Sequence, residues 1–108
     1  MTYTRNRRDA NESAILDALR AVGAAYIQMG TEAGFDLLVL HHYEIYICEI
    51  KQPSKGDKLT TKERVTRITA NLQGVEYNII TTPEEMLELL GLADNLRDIS
   101  EPSRKGLK

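Results

Sequence analysis

The sequence predicts an α/β domain with a central mixed β-sheet of about four strands flanked by helices, in the order helix, strand, strand, strand, helix, strand, helix. Three observations predict it. Residues 37–40 and 45–50 are apolar runs separated by the polar 41–44, which is the pattern of a hairpin. Three segments carry start and stop signals for helices. A further strand-like run, 75–81, falls between the second and third of them.

Residues 1–8 are expected to form a mobile basic arm. Asp9 is a plausible N-cap with Glu12 as its capping-box partner, and the helix runs to about 22, where Gly23 stops it. Ile15, Ala18, Leu19 and Val22 form its buried stripe. Glu12 lies at the margin of that stripe, so it has two readings: a cap, or a carboxylate leaning from the first turn towards the sheet. Residues 24–29 read as the first strand, and 30–34, bounded by Gly30 and Gly34, as a flexible connection.

The hairpin follows. Residues 45–50 are apolar at nearly every position, which predicts a strand buried on both faces. Residues 52–58, with Pro53 and Gly56, form a polar loop. Thr60 is the N-cap of the second helix and Glu63 completes a capping box. Thr61, Val65, Ile68 and Leu72 share its expected inner face, and Arg64, Arg67 and Asn71 fall on another. Glu63 and Arg67 are spaced as an i,i+4 ion pair on a solvated surface, and Gly74 ends the helix. The fourth strand, 75–81, leads into Thr82-Pro83-Glu84-Glu85, a capping threonine with proline at the first helical position and acids in the first turn. Met86, Leu87, Leu89 and Leu90 are the apolar residues of this third helix, and Gly91 is its stop. Residues 92–108 have weak periodicity and are expected as a partly ordered tail.

The chain has 108 residues, 42% of them apolar and 28% charged, which suits one soluble domain across 1–91. It has no run of eighteen apolar residues and no signal-peptide pattern, so a cytoplasmic protein with no membrane association is expected. The single cysteine, Cys48, has no partner for an internal disulfide or a zinc site and reads as a core thiol. A net charge of −2 argues against coating nucleic acid by bulk charge. The distribution still permits one basic face: Arg5, Arg7 and Arg8 lie at the front, and Lys51, Lys55, Lys58, Lys62, Arg64 and Arg67 follow the hairpin, whereas 83–98 is acidic.

The end of the third strand breaks the apolar pattern. With the turn at His42-Tyr43, residue 41 faces 44, 40 faces 45, and Asp36 lies opposite Glu49, with Cβ atoms about 4.5–5.5 Å apart. Lys51 projects from the same face as Glu49. Facing acids are destabilising, and a divalent cation would remove the conflict. Carboxylates suit Mg²⁺ or Mn²⁺ and leave coordination positions for water and a substrate phosphate. Such an ion polarises a phosphoryl oxygen and lowers the pKa of bound water, while the nearby ammonium orients the nucleophile or balances transition-state charge. The residue types therefore point to phosphodiester hydrolysis. His41 and His42 lie at the far end of the hairpin, about 17 Å from Glu49 at ~3.3 Å per residue, and are expected as exposed turn residues.

Asp36 followed by Glu49-Ile50-Lys51 within this element order resembles the PD-(D/E)xK nuclease superfamily, and within it the small stand-alone virus-type replication-repair nucleases. The likeness covers residues 5 to about 91: Arg8-Asp9-Ala10-Asn11-Glu12, Gly34-Phe35-Asp36-Leu37-Leu38, Cys48-Glu49-Ile50-Lys51, Leu59-Thr60 and Gly74. It implies a restriction-endonuclease-like core and a catalytic set of Glu12, Asp36, Glu49 and Lys51, with Asp36, Glu49 and Glu12 as metal ligands. Phe35 stands where the family usually has proline, and Glu63 where it usually has glutamine, which makes Glu63 either a further acidic ligand or a cap.

The resemblance also implies a phage-like origin, a homodimer and, in some members, cleavage of branched DNA such as four-way junctions. One site cuts one strand, so symmetric cutting needs a second site from a two-fold partner. Arg5, Arg7, Arg8, Lys55, Lys58, Lys62, Arg64 and Arg67 are the candidate phosphate contacts, which position DNA without reading its sequence. The competing reading is a non-catalytic nucleic-acid-binding module that keeps the fold.

Overall fold

A computed structural model of the protein describes residues 3–53 and 58–92, and for 3–10 the course of the backbone alone. The elements are α1 (Tyr3–Ala21), β1 (Ala25–Gln28), a 3₁₀ turn (Thr31–Ala33), β2 (Leu37–His41), β3 (Glu44–Ile50), α2 (Thr61–Leu72), β4 (Tyr77–Ile80) and α3 (Pro83–Leu89). This is the expected order. The sheet runs β1-β2-β3-β4, antiparallel through the first three strands and parallel between β3 and β4. It is therefore mixed, with α2 as the crossover that a parallel pair requires.

The hairpin has the anticipated register, from His41 facing Glu44 to Leu37 facing Cys48. Its turn places His42 at φ 48° and Tyr43 at φ 68°. Two consecutive left-handed residues match the right-handed twist of the strands, although glycine and asparagine adopt this geometry more readily. Leu37, Val39, Cys48 and Ile50 pack with Ile80 against Ile15 and Leu19 of α1 and with Met86 and Leu90 of the α3 region. Cys48 is fully buried, as expected of a core thiol, and burial pushes its pKa up to about 12.

Several expectations are corrected. α1 begins at Tyr3, so residues 3–8 are helical instead of a mobile arm and Asp9 is not the N-cap. The first turn that sequence signals placed at Asp9 lies inside the helix, because the polar residues before it continue the same backbone. β3 is buried only at its end: Ile45 is 65% exposed, because α1 and α3 cover one face of the sheet and Ile45 lies on the other. His41 is buried, because it alternates on the same face as Leu37 and Val39, while His42 is exposed and stacks on it with centroids 4.0 Å apart. The connection after β1 is a short 3₁₀ turn tied to its neighbours.

α2 is turned opposite to expectation. Val65, Ile68 and Leu72 are 55%, 59% and 77% exposed, and Glu63, Thr66 and Ala70 are the half-buried residues. The small and polar face meets the sheet because the loop before β2 must pass close beneath it. Among the described residues no helix is long and apolar enough to cross a membrane. Lys55, the tail 93–108 and the side chains of Arg5, Arg7 and Arg8 lie outside what is described.

Candidate active site

The candidate residues from β2 and β3 meet where the hairpin opens. The ladder ends at Leu37 and Cys48, and the chain then holds itself by other bonds: Asp36 N–H donates to Cys48 O at 3.0 Å, and Ile50 N–H donates to Asp36 Oδ2 at 2.8 Å. The Asp36 carboxylate is thus clamped on the end of β3, beside Glu49.

The segment that delivers Asp36 is fixed from the other side. Met29 N–H donates to Asp36 O at 2.9 Å, Tyr77 OH to Gly34 O at 2.6 Å, and Thr66 Oγ1 to Ala33 O at 3.3 Å. Gly34 sits at φ 80°, and a Cβ built there would lie 2.0 Å from Thr66 Oγ1, so only glycine lets the segment pass under α2. Tyr77 stays protonated to high pH, because burial and then the acids Glu49, Glu63 and Asp36 raise its pKa.

Glu49 is 2% exposed, with Oε2 3.3 Å from Lys51 Nζ and Oε1 buried without a hydrogen-bond partner. Burial, with Glu63 and Asp36 adding to it, pushes the Glu49 carboxyl up to about 9 against the pull of Lys51. Lys51 Nζ lies 2.9 Å from Glu63 Oε1. Burial lowers the Lys51 pKa, but the bond to Glu63 and the charge of Glu49 outweigh it, so the ammonium is held above its ordinary value.

The structure shows Glu63 in the capping role, one of the two that the sequence left open. It is a cap, since Thr60 N–H donates to its Oε1 at 2.9 Å and its own N–H donates to Thr60 Oγ1 at 3.2 Å. The same Oε1 also takes the Lys51 ammonium. Burial works to raise its pKa, but the neighbouring Glu49 carboxyl, the Lys51 ammonium and the Thr60 N–H prevail and lower it. The i,i+4 spacing pointed towards Arg67 and gave no signal for this long-range partner.

Glu12 is 5% exposed and accepts a bond from Gln28 Nε2 at 3.3 Å. The inward reading holds, and the capping reading fails because α1 starts nine residues earlier, at Tyr3. Among the described residues no group of three or more His, Cys, Asp and Glu side chains is arranged to hold a metal ion. The buried, orphaned Oε1 of Glu49 beside the Asp36 carboxylate is the kind of oxygen donor set that a hard divalent cation takes. Both residues line a cleft of about 230 Å³ with Met29, Thr60, Lys62 and Glu63.

The basic candidates are dispersed. Lys58 and Arg67 are exposed; Lys62 Nζ donates to Glu32 O at 3.4 Å, and Arg64 donates to Leu59 O at 3.0 Å. Among the described ones, Lys62 alone lines the cleft. Sequence reasoning gave no separate role to Asn11, whose amide bonds to Lys51 O at 2.9 Å and Thr81 O at 3.1 Å. Compared with family models, curated proteins and solved structures, the chain has no match.

Proposed function

We propose that the chain is a Mg²⁺- or Mn²⁺-dependent, structure-selective DNA endonuclease that hydrolyses phosphodiester bonds as a homodimer, with four-way junctions as the leading substrate. The observation that carries this reading is the buried, unpartnered Oε1 of Glu49 beside Asp36 and Lys51 in an open cleft. A buried polar atom without a partner calls for an explanation, and a cation is the one that its neighbours suit. Asp36 and Glu49 would hold the ion, with Glu12 as the third candidate carboxylate. When bound, it supplies Lewis acidity and a water of lowered pKa.

The protein's own groups do the rest. Asp36 is kept in place by Ile50 N–H, so its carboxylate needs no reorganisation. Lys51 presents an ammonium where negative charge grows on the phosphoryl oxygens as the water oxygen bonds to phosphorus and the P–O bond to the leaving strand breaks. The N-terminus of α2, at Thr60, borders the cleft and favours an anion such as the DNA phosphate. Lys58, Lys62, Arg64 and Arg67, with Arg5, Arg7, Arg8 and Lys55, are proposed to hold the backbone of the DNA. The second protomer supplies the second cut.

The ion pair between Lys51 and Glu63 favours a second reading, a non-catalytic nucleic-acid-binding module, because it already consumes the ammonium's charge. One experiment separates them: the protein is incubated with matched junction, flap, nicked and linear DNA in Mg²⁺ or Mn²⁺, with EDTA and Lys51→Ala as controls. The nuclease reading expects metal-dependent cleavage concentrated on the junction and none from the variant. Binding without cleavage of any substrate would overturn it in favour of the module.

A further inference from the structure

Asn11 lies on α1 one residue before Glu12, yet its side chain reaches 40 and 70 positions along the chain. Both hydrogens of its amide are used, one on Lys51 O at 2.9 Å and one on Thr81 O at 3.1 Å. Since both partners can only accept, the orientation of the amide is fixed. The bonds fall where the parallel strands part. Lys51 N–H still donates to Ile80 O at 3.0 Å, but β4 then gives way to Thr82, the cap of α3, and β3 to the loop after Lys51. The side chain of Asn11 supplies a donor for the Lys51 carbonyl and so continues the sheet by one step.

A folded chain has no need of this particular residue to end two strands, since water serves exposed carbonyls. The amide is instead half-buried, and its Oδ1 is buried without a partner, an arrangement that costs stability. What it secures is the backbone of the residue whose side chain must reach both Glu49 and Glu63. Lysine has a long, flexible stem, so the position of Nζ depends on how firmly its main chain is held.

We infer that Asn11 is a positioning residue for Lys51, holding the end of β3 so that the ammonium stays between Glu49 and Glu63 at the candidate active site. Its value for catalysis rests on the proposed nuclease reading, whereas its effect on Lys51 does not. A displacement of the order of 1 Å at a reacting group costs about 10²-fold in rate.

The test uses protein labelled with ¹³C at lysine Cε, with the Lys51 signal assigned from Lys51→Arg. Asn11→Ala and Asn11→Ser, which keeps one donor, are compared with wild type and with Asn78→Ala. Asn78, on β4, makes a similar amide-to-carbonyl bond to Ile47 O of β3 at 3.0 Å, and neither residue lines the cleft. Relaxation of the Lys51 Cε methylene and single-turnover cleavage are both measured, each in variants shown to be folded by near-UV circular dichroism. The expected result is a mobile Lys51 side chain in the Asn11 variants alone, with a cleavage rate down about 10- to 100-fold and KM little changed. If Asn11→Ala does not fold, Asn11→Ser is read by the same criteria. A Lys51 side chain as rigid in the folded Asn11 variant as in wild type would overturn the inference. Absence of cleavage by wild type would sink the nuclease reading and leave the Lys51 measurement to decide the positioning role.

Discussion

Lys51 Nζ lies 2.9 Å from Glu63 Oε1 and 3.3 Å from Glu49 Oε2, so the ammonium joins the end of β3 to the first turn of α2. Because Glu63 Oε1 is also bonded to Thr60 N–H, one oxygen serves both as a helix cap and as the counter-charge of the candidate catalytic lysine. Replacing Glu63 by Ala removes both interactions. Loss of the bond from Thr60 N–H costs about 0.5–1.5 kcal/mol, measured as a shift of the urea unfolding midpoint at constant m-value. Glu63→Gln, which keeps an acceptor for Thr60, should recover most of that loss while leaving Lys51 with Glu49 as its remaining acidic partner. Equal destabilisation by both variants would show that the capping account is wrong.

Gly34 is expected to be intolerant of substitution. Gly34→Ala forces a side chain into left-handed backbone and against Thr66, and should cost about 2–4 kcal/mol in guanidinium unfolding. Adding Thr66→Ala removes the nearest atom and should restore only part of the loss, because the strain at φ 80° stays. Full recovery in the double variant would mean that contact alone is responsible.

His41 gives a pH dependence with a definite sign. Burial, then the neighbouring His42, lowers its pKa below the ordinary value, so the folded protein takes up a proton at that ring less readily than the unfolded chain. Its share of stability is fully present above the unfolded pKa, about 6.5, and is lost as pH falls below that towards the folded pKa. Thermal melts between pH 7 and 5 should show a decline in Tm that is reduced in His41→Gln. An unchanged slope in the variant would assign the decline to other groups.

The outward stripe of α2 bears on the proposed dimer. Val65, Ile68 and Leu72 are exposed on one face, with Val75 beyond them at 41%. Their spacing is that of a helix-pairing seam, and a second copy offers the same seam across a two-fold axis. Ile68→Glu with Leu72→Glu should therefore give a monomer in sedimentation velocity at micromolar concentration where wild type is a dimer. Monomer stability should move by no more than about 0.5 kcal/mol, since exposed substitutions are usually within that range. A wild-type monomer at all concentrations tested would remove the dimer.

Much of the fold was legible because it depends on short-range signals. The two apolar runs around residues 41–44 set the register of β2 and β3, Thr60 with Glu63 marked the start of α2, and Thr82 with Pro83 marked that of α3. Period two on the hairpin then put Glu49 and Lys51 on one side, next to Asp36. By itself, the sequence determined these elements and the gathering of that charged group, since both follow from alternation and capping over a few residues.

The tertiary structure alone decided which side of each element is covered. Apolar spacing on α2 marked Val65, Ile68 and Leu72 as a face but could not say that it turns outward. That depended on the close passage of Gly34 beneath Thr66, a contact 32 residues apart in the chain. The partners of Lys51 were hidden for the same reason: Glu63 comes from α2 and Asn11 from α1, 12 and 40 positions away. Local propensity acts over one or two turns of chain, whereas burial and hydrogen bonding at this site are settled by elements that meet only once the sheet has formed.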